Sequence, residues 1–246
     1  MGTSRPGATA FAQVLIRGSG PPLVLCPGFG LGPHTYKRTA EALADRWTVY
    51  VPSIFRLGRR WEADAVLDAL DALAGDARLQ DLTLVGHSFG GGTALGWAAR
   101  RPELVRRLVL VDSLALTPTW GLARNFFWGS RFWRMVSLRA ALDFLRVPPL
   151  DLARAGWWGF RAHRSEAVAA VVDSGVDTAV VWAGRDTLLA QRDGAELARA
   201  LHARHVVVDP PDDDLGHVWV FRRPELFRRV MGELAGEAEA ARTDAR

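Results

Sequence analysis

A short apolar run, Leu82–Val85, leads directly into the turn Gly-His-Ser-Phe-Gly of residues 86–90, and a helical pattern begins there. A G-x-S-x-G turn between a strand and a helix holds its serine on a tight bend with strained backbone angles. The residues two before and two after that serine must lack Cβ atoms so that strand and helix can approach, and Gly86 and Gly90 meet this need. The pattern predicts Ser88 at the positive end of the following helix, where negative charge on its oxygen is favoured.

Short apolar runs alternate with amphipathic patterns through most of the chain. The predicted strands are Leu23–Cys26, Trp47–Val51, Leu82–Val85, Leu108–Val111, Ala179–Trp182 and Val206–Val208. The predicted helices are Arg38–Asp45, Glu62–Ala74, Gly91–Arg100, Asp193–Ala200 and Pro224–Leu234. Such alternation predicts an α/β fold in which a mostly parallel central sheet is flanked by helices on both faces.

The alternation fails between Leu114 and Val171, where large aromatic residues crowd among arginines. We interpret residues 114–171 as a helical, aromatic-rich cap inserted into a core that comprises residues 1–113 and 172–246. Ligands of open α/β sheets bind beyond the carboxyl ends of the strands, so an insertion after Val111 is expected to cover the site.

The chain has 246 residues, of which 49% are apolar and 24% charged, and these values exclude a disordered or collagen-like chain. The net charge is +4, but the arginines are interleaved with acidic residues along the whole chain. No base-stacking or groove-reading module accompanies that charge, so we expect no nucleic-acid partner. The expected partner is a small-molecule substrate, and the sequence leaves the oligomeric state open.

No stretch approaches the roughly 20 consecutive apolar residues that a membrane helix needs, and no signal-peptide pattern stands at the start. We therefore expect a cytoplasmic protein without integral membrane association. Cys26 is the only cysteine, which excludes an intramolecular disulfide and disfavours a cysteine-based metal site. We interpret Cys26 as a small buried hydrophobe rather than as a second nucleophile.

The G-x-S-x-G turn in its strand and helix context makes the chain resemble the α/β-hydrolase-fold superfamily, in particular its esterase-like and lipase-like serine hydrolases. The resemblance covers about residues 11–113 and 176–235. In that family the chain order is nucleophile, acid, histidine, and the cap follows the sixth strand of the family's sheet, here Leu108–Val111. The resemblance implies that Ser88 is the nucleophile.

A serine hydroxyl needs a base within hydrogen-bond reach, and the base needs a carboxylate that orients it. His217 follows Gly216 between the last predicted strand and the last helix, where the family's Gly-His motif falls. Asp186 ends the segment Ala-Gly-Arg-Asp of residues 183–186, after the strand Ala179–Trp182, and this segment resembles the family's Gly-x-x-Asp acid position. Some members carry the acid one strand earlier, so Asp112 remains an alternative to Asp186.

The oxyanion hole of this family uses two backbone N–H groups. By position, the Phe89 amide is the first of them. The second is implied for Phe29, in the loop 27–30 that follows the strand Leu23–Cys26. Here the sequence departs from the family, because Pro27 replaces the usual histidine that often braces this loop.

These residues predict a serine hydrolase that cleaves an ester or thioester through an acyl-enzyme intermediate. The aromatic cap favours a small, fairly hydrophobic substrate. The same set of side chains also permits carbon–carbon bond hydrolysis, cofactor-free perhydrolysis or hydroxynitrile cleavage, and a non-catalytic binding protein is a further alternative. No metal-ligand cluster or phosphate-binding loop is evident in the sequence, so we expect no cofactor and no metal.

Overall fold

The computed structural model describes residues 11–114, 137–161, 164–210 and 216–243, and seven strands of this part form one sheet. The strands are β1 (Val14–Arg17), β2 (Pro22–Cys26), β3 (Thr48–Pro52), β4 (Leu82–His87), β5 (Val105–Val111), β6 (Asp177–Ala183) and β7 (Arg204–Val208). Their order across the sheet is β1-β3-β2-β4-β5-β6-β7, and all neighbours are parallel except β1 with β3. The predicted mostly parallel sheet is confirmed.

Helices connect the parallel strands and extend over the sheet. In the described ranges they are α1 (Lys37–Leu43), α2 (Ala63–Ala77), α3 (Phe89–Arg100), α4 (Leu138–Phe144), α5 (Pro149–Arg161), α6 (Ser165–Ser174), α7 (Gln191–Ala200), α8 (Trp219–Arg222) and α9 (Pro224–Thr243). None of these helices combines the length and the apolar character that a membrane crossing demands.

The sheet is buried between two apolar layers. On one face, β-strand side chains such as Val24 and Leu84 pack against a cluster that includes Leu70 of α2 and Trp97 of α3. On the other face, a second cluster joins strand residues to α1, α8 and α9 and includes Trp219. Because both faces are covered, the central strands are continuously apolar rather than alternating.

Helix α2 illustrates how the pattern makes the local structure. Its residues Val66, Leu70 and Leu73 recur at the spacing of one helical face, and all three are buried. The helix ends where Arg78 adopts the left-handed conformation, with φ of 51°, and its N–H bonds to carbonyls of the last turn.

Two elements differ from the expectation. Strand β1, an antiparallel strand at the sheet edge, was absent from the predicted set because its four residues are too few for a clear period. Helix α9 continues to Thr243 rather than ending at Leu234, since its last turns are rich in alanine and glutamate, which are strong helix formers.

Within the predicted insertion, the described residues form helices α4 and α5 and the first part of α6. The predicted return to the core between residues 171 and 172 falls inside α6, and this helix packs against α3 of the core. The division into core and cap at residues 114–171 therefore stays a prediction. Residues 115–136, which carry many of the cap aromatics, lie outside the described ranges.

Candidate active site

The turn between β4 and α3 has the strained form that its sequence predicts. Ser88 has φ of 54° and ψ of −121°, a backbone conformation that L-residues rarely adopt. A Cβ atom at Gly90 would overlap the carbonyl oxygen of Cys26, and one at Gly86 would lie 2.5 Å from the Cα of Gly91. The two glycines are therefore required by close backbone approach, and they allow Ser88 to cap the start of α3.

Three predicted site residues meet at the carboxyl edge of the sheet. The Nε2 atom of His217 lies 2.9 Å from Ser88 Oγ, and its Nδ1 atom lies 2.7 Å from Oδ2 of Asp186. The other carboxylate oxygen of Asp186 accepts hydrogen bonds from the N–H groups of Leu188 and Leu189, at 2.7 and 3.0 Å. The side chains of His217 and Asp186 are 6% and 0% exposed, so their hydrogen bond is shielded from water.

Gly216 explains how the two loops come so close. It has φ of 64°, and a Cβ atom there would lie 2.5 Å from backbone atoms of Arg185. Only glycine combines this conformation with so close an approach. The Gly-His pair therefore brings His217 directly over the turn that carries Asp186.

Asp112, the alternative acid, makes other contacts. One of its oxygens accepts the Ala183 N–H at 2.7 Å, and the other accepts the Trp219 indole N–H at 2.8 Å. Burial, with the nearby Asp186 carboxylate, raises the pKa of Asp112 from 3.8 to about 8. Asp112 thus links the end of β6 to α8, and each of its oxygens bonds to a group other than the His217 ring.

Potential metal-ligand atoms of His87, Asp112 and His217 lie within 4.8 Å of one another. Each of these side chains already has hydrogen-bond partners at both polar atoms: Tyr36 and the His217 carbonyl for His87, Ala183 and Trp219 for Asp112, and Ser88 and Asp186 for His217. We therefore assign this group to hydrogen bonding rather than to metal binding.

The loop 27–30 lies next to α3 and α4. The Phe29 ring contacts Phe55 and Phe89 of the core and Phe144 of α4, with ring centroids 5.7 to 5.9 Å apart. Phe89 is the first residue of α3, a position at which an amide has no intrahelical acceptor. Both predicted oxyanion donors therefore belong to residues whose side chains anchor them in an aromatic cluster.

A hydroxyl that the sequence analysis did not single out braces this loop. The Tyr36 oxygen accepts the Gly28 N–H at 3.0 Å and lies 2.6 Å from Nδ1 of His87. The Nε2 atom of His87 lies 2.9 Å from the backbone carbonyl of His217. All of these groups are buried, and burial lowers the pKa of His87 to about 3.

The partners of His87 settle the direction of these hydrogen bonds. The His217 carbonyl can only accept, so Nε2 of His87 carries the proton. A neutral ring then leaves Nδ1 as an acceptor, and the Tyr36 O–H donates to it. The result is a buried chain from the Gly28 amide through Tyr36 and His87 to the backbone of His217.

Cys26 and the other described histidines occupy other positions in the fold. Cys26 is fully buried, and burial raises the pKa of its thiol to about 12, in keeping with its interpretation as a small hydrophobe. His34 lies before α1 and contacts Asp143 of α4, while His202 and His205 lie in the turn before β7 and in β7. His163 lies outside the described residues, as does the acidic run 212–214.

Aromatic side chains of core and cap form one cluster beside the site. Trp158 of α5 contacts Phe89 and Trp61, at centroid distances of 5.3 and 6.0 Å. Gly159 allows this packing, because a Cβ atom there would lie 3.0 Å from the Phe89 ring. Phe144 of α4 and Trp158 of α5 therefore pack on Phe29 and Phe89, the two residues whose amides are the predicted oxyanion donors.

Comparison with known proteins gives a family match. The family model described as alpha/beta hydrolase fold matches residues 21–174. Among curated proteins, the chain is 38% identical over 99 residues to a pimeloyl-[acyl-carrier protein] methyl ester esterase of Chromobacterium violaceum, a match that covers 38% of this chain and 37% of that protein. It is 36% identical over 121 residues to a 2-hydroxymuconate semialdehyde hydrolase of Pseudomonas putida, covering 44% and 38%. The chain thus matches little more than a third of the length of these relatives.

Solved structures are similar over almost the whole chain. A mutant form of the meta-cleavage product hydrolase CumD has a TM-score of 0.73 at 20% identity, covering 93% of this chain and 97% of that one. An esterase of Thermogutta terrifontis has a TM-score of 0.72 at 20% identity, covering 92% and 93%. At such identities the likeness establishes the fold alone.

Proposed function

Because the chain belongs to the alpha/beta hydrolase fold family, we propose that it is a serine hydrolase that cleaves an ester or thioester through an acyl-enzyme intermediate. The observation that carries this proposal is the pair of hydrogen bonds that joins Ser88 to His217, at 2.9 Å, and His217 to Asp186, at 2.7 Å. A hydroxyl activated by a base, with the base oriented by a buried carboxylate, is the arrangement that acyl transfer requires.

In the proposed reaction, Ser88 Oγ attacks the acyl carbon and its proton passes to Nε2 of His217. The carbonyl oxygen becomes an oxyanion that the Phe29 and Phe89 amides bind. The bond to the leaving alcohol or thiol then breaks, and the leaving group takes the proton from His217. Water attacks the acyl-enzyme with His217 as base again, and the acid and Ser88 are released.

The position of Ser88 supports charge development during this reaction. Ser88 stands at the start of α3, a helix of 12 residues, whose dipole favours negative charge at that end. Asp186 holds the imidazole through Nδ1, so that Nε2 faces the serine and the imidazolium that forms is stabilised. Asp112 has no such role in the proposal, since both of its oxygens are bonded elsewhere.

The aromatic cluster supports an uncharged, fairly hydrophobic acyl or alcohol group as the substrate portion next to the serine. The Phe29 ring contacts Phe144, and the Phe89 ring contacts Trp158, both in the proposed cap, 114–171. Rates on p-nitrophenyl esters of increasing chain length test this preference. If the acetate ester is cleaved faster than every longer ester, the preference for a hydrophobic acyl group is wrong.

Labelling with a fluorophosphonate tests the nucleophile. We expect the wild type to be labelled and Ser88→Ala to remain unlabelled, because only the Ser88 oxygen is activated by His217. The matched control is Ser113→Ala, a buried serine two residues after β5 that lies against Gly91 of α3. Labelling that survives in Ser88→Ala, or is lost in Ser113→Ala, contradicts the assignment.

Carbon–carbon bond hydrolysis is the second candidate, and the similarity to 2-hydroxymuconate semialdehyde hydrolases favours it over the remaining alternatives. It would use the same serine, histidine and acid. A screen of esters, thioesters and ring-fission diketones, with Ser88→Ala as the blank, separates the two. Turnover of the diketone at a kcat/KM about 100-fold above that of any ester would favour the second candidate.

A further inference from the structure

One carboxylate of the predicted cap contacts the segment 27–35, which follows β2 and which we call the oxyanion loop because it contains Phe29. Asp143, near the end of α4, is 6% exposed, and 108 residues separate it from Thr35. One of its oxygens accepts from the Gly32 N–H at 3.0 Å, the Thr35 N–H at 2.8 Å and the Thr35 hydroxyl at 2.7 Å. The other oxygen lies 2.8 Å from Nδ1 and 3.4 Å from the backbone nitrogen of His34.

Helix α4 by itself gives no reason for an acid at this position. Asp143 is the last residue but one of the helix, where the dipole disfavours a negative charge. The backbone N–H groups of Gly32, His34 and Thr35 compensate, since they point at the carboxylate as those of a helix N-terminus do. The side chain is therefore stabilised by the core loop and not by its own helix.

Phe144, the next residue of α4, contacts the same loop. The Phe144 ring fills the space that a Cβ atom of Gly30 would occupy, and Gly30 has φ of 68°. The same ring meets Phe29 edge to face at 5.9 Å. Asp143 and Phe144 thus contact the segment 29–35, which begins at the residue whose amide is the proposed oxyanion donor.

We propose that Asp143 is a positioning residue for the oxyanion hole, which makes the geometry of the Phe29 amide depend on the seating of the cap. The proposal rests on the proposed function of Ser88 and Phe29. Asp143 would supply a second brace from the predicted cap, in addition to the Tyr36 hydroxyl that bonds to Gly28.

Asp143→Asn is the test variant, because it preserves the shape but sets an amide N–H₂ against N–H donors of the loop. The cap offers a matched control in Asp151 of α5, which is 9% exposed and accepts the Trp61 N–H at 3.2 Å. Asp151→Asn loosens a cap carboxylate from the core without touching the oxyanion loop.

For Asp143→Asn we expect kcat to fall about 10- to 100-fold, with KM within about threefold, and fluorophosphonate labelling to slow in parallel. Asp151→Asn should keep kcat within about threefold. Hydrogen–deuterium exchange of the amides of residues 29–35 should accelerate about tenfold in Asp143→Asn alone. If Asp143 had only a structural role, both variants would have lower melting temperatures, but kcat and the exchange rate of residues 29–35 would not differ between them.

The proposal is overturned if Asp143→Asn keeps the wild-type kcat and loop exchange, or if Asp151→Asn loses as much kcat. If Asp143→Asn does not fold, Thr35→Val replaces it, removing one hydroxyl bond to Asp143 and lowering kcat about threefold. The failure of the proposed function would look different, since the wild type itself would then show no labelling that depends on Ser88. Loop exchange needs no turnover and reads the contact between cap and loop in either case.

Discussion

The ends of β5 and β6 carry two buried carboxyl groups in the same edge of the sheet, yet only one reaches the histidine. Asp112 follows β5 directly, and its own N–H still bonds to Val181 of β6, so its side chain stays within the sheet edge. Asp186 stands three residues beyond β6, on a turn that lifts it to Nδ1 of His217. A position at the end of a strand is therefore not enough to bring a carboxylate to the histidine. The number of residues between the strand and the acid decides whether its side chain reaches the imidazole.

The largest expected effect separates these two acids. Asp186→Asn should lower kcat by roughly 10³- to 10⁴-fold, because the amide cannot stabilise the imidazolium and favours the wrong tautomer. Asp112→Asn should keep kcat within about tenfold, since Asp112 touches Ala183 and Trp219 rather than the imidazole ring. Steady-state rates on one ester measure both, and equal losses in the two variants would refute the assignment of the acid.

The sequence predicted the residues at the carboxyl edge of the sheet better than the contacts made by α4. Ser88, His217 and Asp186 each follow a strand within a local motif, so the topology of a parallel sheet brings them to one edge. The structure brings them within hydrogen-bond distance, and their catalytic roles stay predictions. Asp143 carries no such local signal, because its partners lie 108 or more residues away and depend on how the cap packs.

Tyr36 and His87 were missed for a related reason. The sequence places His87 inside the turn 86–90, but its bonds to Tyr36 and to the His217 carbonyl depend on three separate segments. The absence of the usual histidine at Pro27 was the available signal that some other group must brace the loop. Only the fold reveals that this group is the Tyr36 hydroxyl.

The pH dependence of stability sharpens the comparison of the two acids. The pKa of Asp112 is raised to about 8 from 3.8, so between these values the folded chain keeps a proton that the unfolded chain releases. This contribution to stability is present at low pH and is lost as the pH rises through the raised value. Asparagine does not titrate, so Asp112→Asn should be less stable than the wild type at about pH 5 and recover about 2 kcal/mol or more of that difference by about pH 9.

Urea unfolding of the wild type and Asp112→Asn at these two pH values measures the change. The control is Asp173→Asn, which replaces an exposed acid of α6 that lies outside the sheet edge. A difference between wild type and Asp112→Asn that stays constant from low to high pH would mean that Asp112 titrates alike in the folded and unfolded chain. Its carboxyl would then carry a charge within the sheet edge, and its separation from Asp186 would need another explanation.

The smallest expected effect concerns the brace on the core side of the oxyanion loop. Tyr36→Phe keeps the ring but leaves the buried Gly28 N–H and Nδ1 of His87 without their partner. We expect kcat to fall about tenfold with little change in KM, because the loop and the His217 backbone are both less well held. The chain has only one other tyrosine, Tyr50, which is half-buried in β3, so Tyr50→Phe is the matched control and should keep the wild-type kcat.

The double variant Tyr36→Phe/Asp143→Asn tests whether these two side chains position the oxyanion loop together. The two side chains contact the same loop from opposite sides, at Gly28 and at residues 32–35. If either loss already displaces the Phe29 amide, the second loss should add less than its single effect, with a coupling of about 1 kcal/mol in a double-mutant cycle. Strict additivity would mean that Tyr36 acts through His87 on His217 alone, and that the cap alone sets the oxyanion loop.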